Sequence, residues 1–128
     1  MIRLFTISAL ALALVACEGN TDRVRLVDNQ SSTVLTVEAK AEWNEDIDLM
    51  IQPGEAQELF MMSQLGGSDY VVHPYSNMDT LIIMNAAGDT CMINFADSLS
   101  WEYHIEERSR IPADWLHEYT VVVTDEDF

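Results

Sequence analysis

The chain has 128 residues, of which 22 are acidic and 6 are basic, so its formal net charge is −16 at pH 7. This excess of negative charge repels phosphate, which argues against nucleic-acid binding and against adhesion to an anionic lipid surface. The length suits one domain with a single core, and two cysteines, Cys17 and Cys91, are too few for a disulfide framework.

The first 16 residues have the pattern of an export signal. A single charge at Arg3 precedes the apolar run 4–16. At 1.5 Å per helical residue this run is too short to cross a bilayer core about 30 Å thick, whereas its length suits a secretory signal. Residues 1–16 are therefore predicted to be removed and to take no part in the fold.

Small residues precede the first cysteine in Leu14-Val15-Ala16-Cys17. This motif resembles the lipobox of bacterial lipoproteins, in which the cysteine is acylated and becomes the first residue of the mature chain. The resemblance implies lipidation of Cys17 and attachment to the cell membrane or outer membrane, with the domain periplasmic or surface-exposed. The alternative is an ordinary signal peptide that leaves Cys17 as a free thiol.

The polar residues that follow Cys17 have no periodicity, so 17–22 is predicted to be the lipidated cysteine with a short tether. Residues 23–128 form one predicted domain, in which alternation, β-branched residues and turn signals indicate short strands. The segments predicted as strands are 23–28, 33–40, 46–52, 56–62, 70–73, 80–84, 90–95, 101–106 and 118–124.

Two pairs of these segments are predicted to form hairpins, 23–28 with 33–40 and 80–84 with 90–95. Strands this short, separated by regular turns, predict an all-β fold of about eight antiparallel strands, either a β-sandwich or a small β-barrel. No helix is predicted beyond a single turn near Pro112.

The turn Ile51-Gln52-Pro53-Gly54-Glu55 and the last strand, which runs into an acidic C-terminus, extend the resemblance beyond the lipobox. Together these features resemble small cell-envelope lipoproteins of the Bacteroidota. This resemblance implies an immunoglobulin-like sandwich in the envelope, and it assigns no functional residue other than Cys17.

Three aromatic residues, Trp43, Tyr75 and Trp115, fall in predicted connections. Loops on a rigid sandwich commonly carry binding residues, and such rings can stack on sugars or anchor a protein partner. The alternative is that each ring covers an open end of the core. In contrast, Tyr103 and Ile105 alternate with polar residues after Trp101, and all three are predicted to be core residues.

The sequence gives little support for a metal-binding or catalytic function. Asp46 and Asp48 share a predicted strand face and form a weak calcium candidate, but the full calcium-loop pattern is missing. The histidines have no metal-ligand spacing, and Ser68, in a glycine-rich loop, is the nearest approach to a catalytic nucleophile. No cofactor, other metal or catalytic residue is predicted, and Cys91 is predicted to be a small core residue.

These features predict a lipid-anchored, non-enzymatic domain that acts as a protein-interaction or assembly module in the envelope. A glycan-binding accessory lipoprotein is the first alternative, and it requires two aromatic rings presented together. A small hydrolase is the weaker alternative, and it requires a cleft with a strongly perturbed acid or histidine.

Overall fold

The computed structural model describes residues 18–42 and 45–128. These residues form seven strands and two 3-10 turns, and they contain no α-helix. Accordingly, the described residues include no helix of the length and apolar character that a bilayer span requires. The strands are β1 (Asn20–Asn29), β2 (Leu35–Ala41), β3 (Ile47–Ile51), β4 (Ala56–Leu65), β5 (Met78–Met84), β6 (Glu102–Arg110) and β7 (Ala113–Val123).

The strands form two sheets. Sheet A has the order β4-β1-β7-β6, and sheet B has the order β3-β2-β5. The two central strands of sheet A, β1 and β7, run parallel, whereas all other neighbouring strands are antiparallel. The predicted all-β, sandwich-like class is therefore confirmed, with seven strands in the described residues where about eight were predicted.

The core lies between the sheets and is built from alternate residues. Val121 and Val123 of β7 share this core with Leu35 and Val37 of β2, and all four are fully buried. Burial of a side chain of this size contributes about 1.5–3 kcal/mol. Period-two alternation in the sequence thus selects which face of each strand points inward.

The first of the two predicted hairpins is wrong. β1 and β2 lie in different sheets because the chain crosses over at Asn29, which is fully buried. The Asn29 amide donates hydrogen bonds to the carbonyls of Thr33 and Ile51, and its side-chain oxygen accepts one from the backbone N–H of Ser31. The Asn29 side chain therefore provides hydrogen-bond partners for backbone groups of the turn and links the turn to the end of β3.

The second predicted hairpin forms only around its turn, after which the chain crosses from sheet B to sheet A. A single bridge joins Met84 to Thr90, and the next residues leave the sheet. The predicted burial of Cys91 and Trp101 in the core is confirmed, since they are 8% and 3% exposed. The Trp101 indole N–H donates a 2.8 Å hydrogen bond to the Phe95 carbonyl, which fixes the crossing against the core.

We expect replacement of Trp101 by alanine to destabilise the domain by about 3–5 kcal/mol, because it leaves a large cavity and an unsatisfied carbonyl. Trp101→Phe keeps most of the apolar volume and should cost clearly less. Urea unfolding of both variants, followed by circular dichroism, measures the difference. Equal losses in the two variants would contradict the assignment of Trp101 as a core residue.

Candidate functional site

Two of the predicted site residues, Cys17 and Trp43, lie outside the described residues. Tyr75 is half-buried in the turn before β5 and packs against the core, with its hydroxyl donating to the Asp79 carbonyl at 3.4 Å. Trp115 is half-buried within β7 instead of lying in a connection. The structure therefore does not place Trp115 in a loop.

The weak calcium candidate lies at the start of β3. Asp46 and Asp48 are both exposed, and an Asp46 carboxylate oxygen lies 3.8 Å from the Lys40 ammonium nitrogen. Within the described ranges, no group of three or more histidine, cysteine or acidic side chains is arranged to hold a metal ion. The geometry thus adds nothing in favour of calcium.

The most exposed element is β6, an edge strand that pairs only with β7. All of its residues are exposed except Ser109, which is half-buried. Tyr103 and Ile105 are 42% and 38% exposed, so their predicted place in the core is wrong. They do face the same side as the buried residues of β7 opposite them, but sheet B has only three strands and leaves this part of sheet A uncovered.

The two halves of β6 differ. Near its C-terminal end, Arg108 forms ion pairs with Asp22 of β1 and Asp114 of β7, with N···O distances of 2.6 and 2.5 Å. A bulge between Glu107 and Ser109 lies beside this cluster. The N-terminal half, 102–106, has no ion pair within the described part of the chain.

A second unusual region lies on the inner side of sheet A. Here the side chains that point inward from β1 and β7 are polar or aromatic, and they form what we call the polar inner face: Thr21, Arg23, Arg25, His117 and Tyr119. All five are buried, with exposures of 0–5%. Residues 66–77, which we call the covering segment, lie over this face.

Hydrogen bonds from side chains to backbone groups hold the covering segment in place. Thr21 donates to the Gly66 carbonyl at 2.6 Å, His117 Nε2 lies 2.7 Å from the Ser68 carbonyl, and Arg23 donates to the Tyr70 carbonyl at 3.0 Å. Further along, the Tyr119 hydroxyl accepts from the Val72 N–H and Arg25 donates to the Pro74 carbonyl. The contacts therefore follow the segment from one end to the other.

Arg25 is the most deeply enclosed charge in this region. Its guanidinium carbon lies 5.0 Å from the centroid of the Phe60 ring and 5.1 Å from that of Tyr119, so two aromatic faces replace water around the cation. Burial lowers the pKa of Arg25 below its ordinary value, and the neighbouring Arg23 charge acts in the same direction while Tyr119 opposes it. The side chain makes no ion pair with the described acidic residues.

Sequence reasoning missed the polar inner face because arginine is ordinarily a surface residue. The alternation in β1 suggests that Val24 and Leu26 point inward, whereas the structure turns Arg23 and Arg25 inward. One signal was present in the sequence. Two of the few basic residues in this acidic chain stand two positions apart in one predicted strand, and therefore on one face.

The described aromatic candidates do not form a pair. Trp115 is the β7 neighbour of Thr21, near the start of the covering segment, whereas Tyr75 follows Pro74, the partner of Arg25. Thr21 and Arg25 are four residues apart, which corresponds to about 13 Å along a strand. The two rings thus lie toward opposite ends of the covering segment.

The geometry also gives no support to the hydrolase alternative at Ser68, its nearest candidate nucleophile. His117 contacts the backbone carbonyl of Ser68, while the Ser68 hydroxyl accepts a hydrogen bond from the Tyr70 N–H. This is not the contact between hydroxyl and imidazole that activates a serine nucleophile. We found no match to the chain among protein-family models, curated proteins or solved structures.

The Asp22 cluster generates a pH prediction. Hydrogen bonds from Ser63, Arg108 and Asn20 lower the pKa of Asp22 from 3.8 to about 2, with Ser63 the largest cause. A carboxyl whose pKa is lower in the folded state stabilises the fold above its unfolded pKa. Asp22 should therefore contribute stability that is lost as the pH falls from about 4 to about 2.

We expect Asp22→Asn to lower stability at neutral pH by about 0.5–1 kcal/mol, after allowance for solvent screening, and to flatten this acid-dependent loss. Urea unfolding at pH 2, 3, 4 and 7 measures both effects. The control is Asp48→Asn, because the Asp48 side chain is exposed and makes no hydrogen bond within the described region. An unchanged pH dependence in Asp22→Asn would contradict the role given to this carboxylate.

Proposed function

We propose that the protein is a lipid-anchored, non-enzymatic interaction module of the cell envelope, and that it binds a protein partner by strand addition along β6. The observation that carries this proposal is the exposure of β6 on both faces and along one edge. An edge strand offers unpaired backbone N–H and C=O groups, with which an extended segment of another protein can continue the sheet.

Side chains near the free edge of β6 support selective recognition of a partner strand. Tyr103 and Ile105 offer apolar surface on one face of β6, next to the covered core. Such alternate positions are the ones that give strand addition its sequence preference, because a partner strand places every second side chain beside them. Tyr103 is also held in position, since its ring contacts Tyr119 edge to face at a centroid distance of 5.2 Å.

Charge indicates the chemistry of the partner. Glu102 and Glu106 lie in the half of β6 that has no described ion pair, on a chain with a net charge of −16. Antiparallel pairing of β6 with a second copy of itself, centred on His104, would place Glu102 opposite Glu106, and this repulsion disfavours that register of self-association. The partner strand is therefore proposed to carry Lys or Arg beside these glutamates.

The separation of Tyr75 and Trp115 favours this proposal over the glycan-binding alternative, which needs two rings in one groove. An immunoglobulin-like relationship stays a prediction. The β2–β5 and β6–β7 pairings match those of the second with the fifth and the sixth with the seventh strand of such a domain, whereas the placement of β1 between β4 and β7 does not.

The lipid anchor is tested by phase partitioning. We expect the protein made in a bacterial host with lipoprotein processing to enter the detergent phase of Triton X-114, because each buried methylene contributes about 0.8 kcal/mol to membrane binding. Cys17→Ser should move it to the aqueous phase. Cys91→Ser removes the other thiol and should partition like the wild type; loss of detergent partitioning in that variant alone would refute acylation at Cys17.

The binding surface is tested by photocrosslinking in intact envelopes. A photoreactive phenylalanine analogue at position 103 or 105 should crosslink to one and the same protein. Position 82 is the control, because Ile82 is similarly exposed (41%) but lies on β5 in the other sheet. The analogue at this position should not crosslink to the same protein. Mass spectrometry identifies the partner and the crosslinked segment.

Strand addition predicts two further properties of the complex with that partner. In the complex reconstituted from the two purified proteins, amide hydrogen exchange of β6 should slow, and Glu102→Lys with Glu106→Lys should weaken binding. Equal crosslinking from positions 82 and 105, or unchanged exchange of the β6 amides in the complex, would overturn the proposed mode.

A further inference from the structure

The polar inner face contains two buried cations that face no acid. Arg23 and Arg25 are 5% and 1% exposed, and neither makes an ion pair with a described acidic residue, although the chain has 22 of them. Their acceptors are neutral: the Gln64 side chain and the carbonyls of Tyr70, Pro74 and Arg23 itself. Buried charges are ordinarily paired, so this face carries uncompensated positive charge.

Two nitrogen atoms of this face also have no hydrogen-bond partner in the described structure. They are Arg23 Nε and His117 Nδ1, and both are buried. Arg23 and His117 are register neighbours on the paired strands β1 and β7, and side chains of such neighbours start about 4.8 Å apart on the same face. The two side chains therefore start from one small region of the face, from which the Arg23 guanidinium extends to Gln64 on β4.

The hydrogen-bonding roles of these atoms differ. Arg23 Nε can only donate. His117 Nε2 faces a carbonyl oxygen, which only accepts, so Nε2 carries the proton and Nδ1 of a neutral ring is an acceptor. Together they match a group that accepts one hydrogen bond and donates another, and the two guanidinium groups favour an anion in that place. A hydrogen phosphate group has this combination, whereas sulfate has no hydroxyl at neutral pH.

We propose that the polar inner face is a binding site for the hydrogen phosphate ion, admitted when the covering segment opens. Phosphate oxygens accept from Arg23 and Arg25 in place of the Tyr70 and Pro74 carbonyls, and the phosphate hydroxyl donates to His117 Nδ1. A role limited to holding the covering segment needs only neutral donors and does not account for two buried cations.

The covering segment is suited to opening. Its central residues 67–73 belong to no strand, so side-chain contacts hold it where a sheet ladder would otherwise be needed. Its ends, Gly66 and Asn77, have φ values of +93° and +64°, which mark sharp changes of chain direction on either side. The acidic exterior opposes entry of an anion, but the repulsion from charges more than about 8 Å away is largely screened at physiological ionic strength.

The test is calorimetric titration of the full-length protein in detergent micelles with inorganic phosphate at pH 7, with chloride keeping the ionic strength constant. Arg23→Gln should weaken phosphate binding by about 10-fold or more, as expected for a hydrogen bond to a charged group. Lys40→Gln removes the same charge at an exposed position on sheet B and should leave the Kd unchanged. A parallel titration with glycerol phosphate should show weaker binding than free phosphate, because a monoester has a second pKa of about 6 and at pH 7 mostly lacks the phosphate hydroxyl that donates to His117.

Sulfate should bind more weakly than phosphate to the wild type, because it cannot donate to His117. Binding of sulfate as tightly as phosphate, or an equal Kd for phosphate in Arg23→Gln and Lys40→Gln, would overturn the proposal.

A second measurement on the wild type keeps the test decisive if Arg23→Gln does not fold. With ¹⁵N-labelled histidine, phosphate should shift the side-chain Nδ1 resonance of His117, while the exposed His73 and His104 provide internal references. An unchanged His117 resonance at 50 mM phosphate, about the highest concentration that leaves ionic strength easy to match, excludes the site.

Discussion

Parallel pairing of β1 with β7 is the constraint on which the rest of this structure depends. The ladder runs from the Asn20–Asp114 pair to the Asn29–Val123 pair, so it joins the two ends of the described domain at the centre of sheet A. Because both positions beside this pair are then taken by β4 and β6, β6 becomes an edge. Contacts so distant in sequence raise the contact order and carry a large loop-closure entropy, which slows folding.

The unequal widths of the two sheets have separate consequences at the two ends of the inner face. Over one end, Leu35 and Val37 of β2 meet the valines of β7 and form an ordinary apolar core. Over the other end, the covering segment takes the place of a strand. Because this segment does not pair with a strand, its backbone N–H and C=O groups need other hydrogen-bond partners. Buried polar side chains such as Arg23 and His117 provide these partners.

The sequence predicts local features of this fold well, because alternation is a local property. It identifies the all-β class, and it places Trp101 and Cys91 inside. It does not reveal which sheet a strand joins. The turn after β1 has the composition of a hairpin, yet the buried Asn29 sends the chain to the other sheet. Alternation in β6 likewise shows that Tyr103 and Ile105 share a face, but only the width of the opposite sheet decides whether that face is covered.

The site was harder to predict for the same reason. Trp115 belongs to β7 because β1 pairs with its polar beginning, and no local signal announces a partner nearly a hundred residues away. Arg23 and Arg25 are buried only because carbonyls of the covering segment reach them. The polar inner face thus results from tertiary contacts that composition and periodicity do not encode.

Gly19 connects the proposed anchor to one end of sheet A. A side chain at this position would place its Cβ only 1.9 Å from the Ala113 carbonyl oxygen, so the backbone before β1 lies directly against the start of β7. Only Glu18 separates Gly19 from Cys17, and two residues span at most about 7 Å. Acylation of Cys17, as proposed, would therefore hold the Ala113 end of β7, and with it the Arg110 end of β6, close to the bilayer surface.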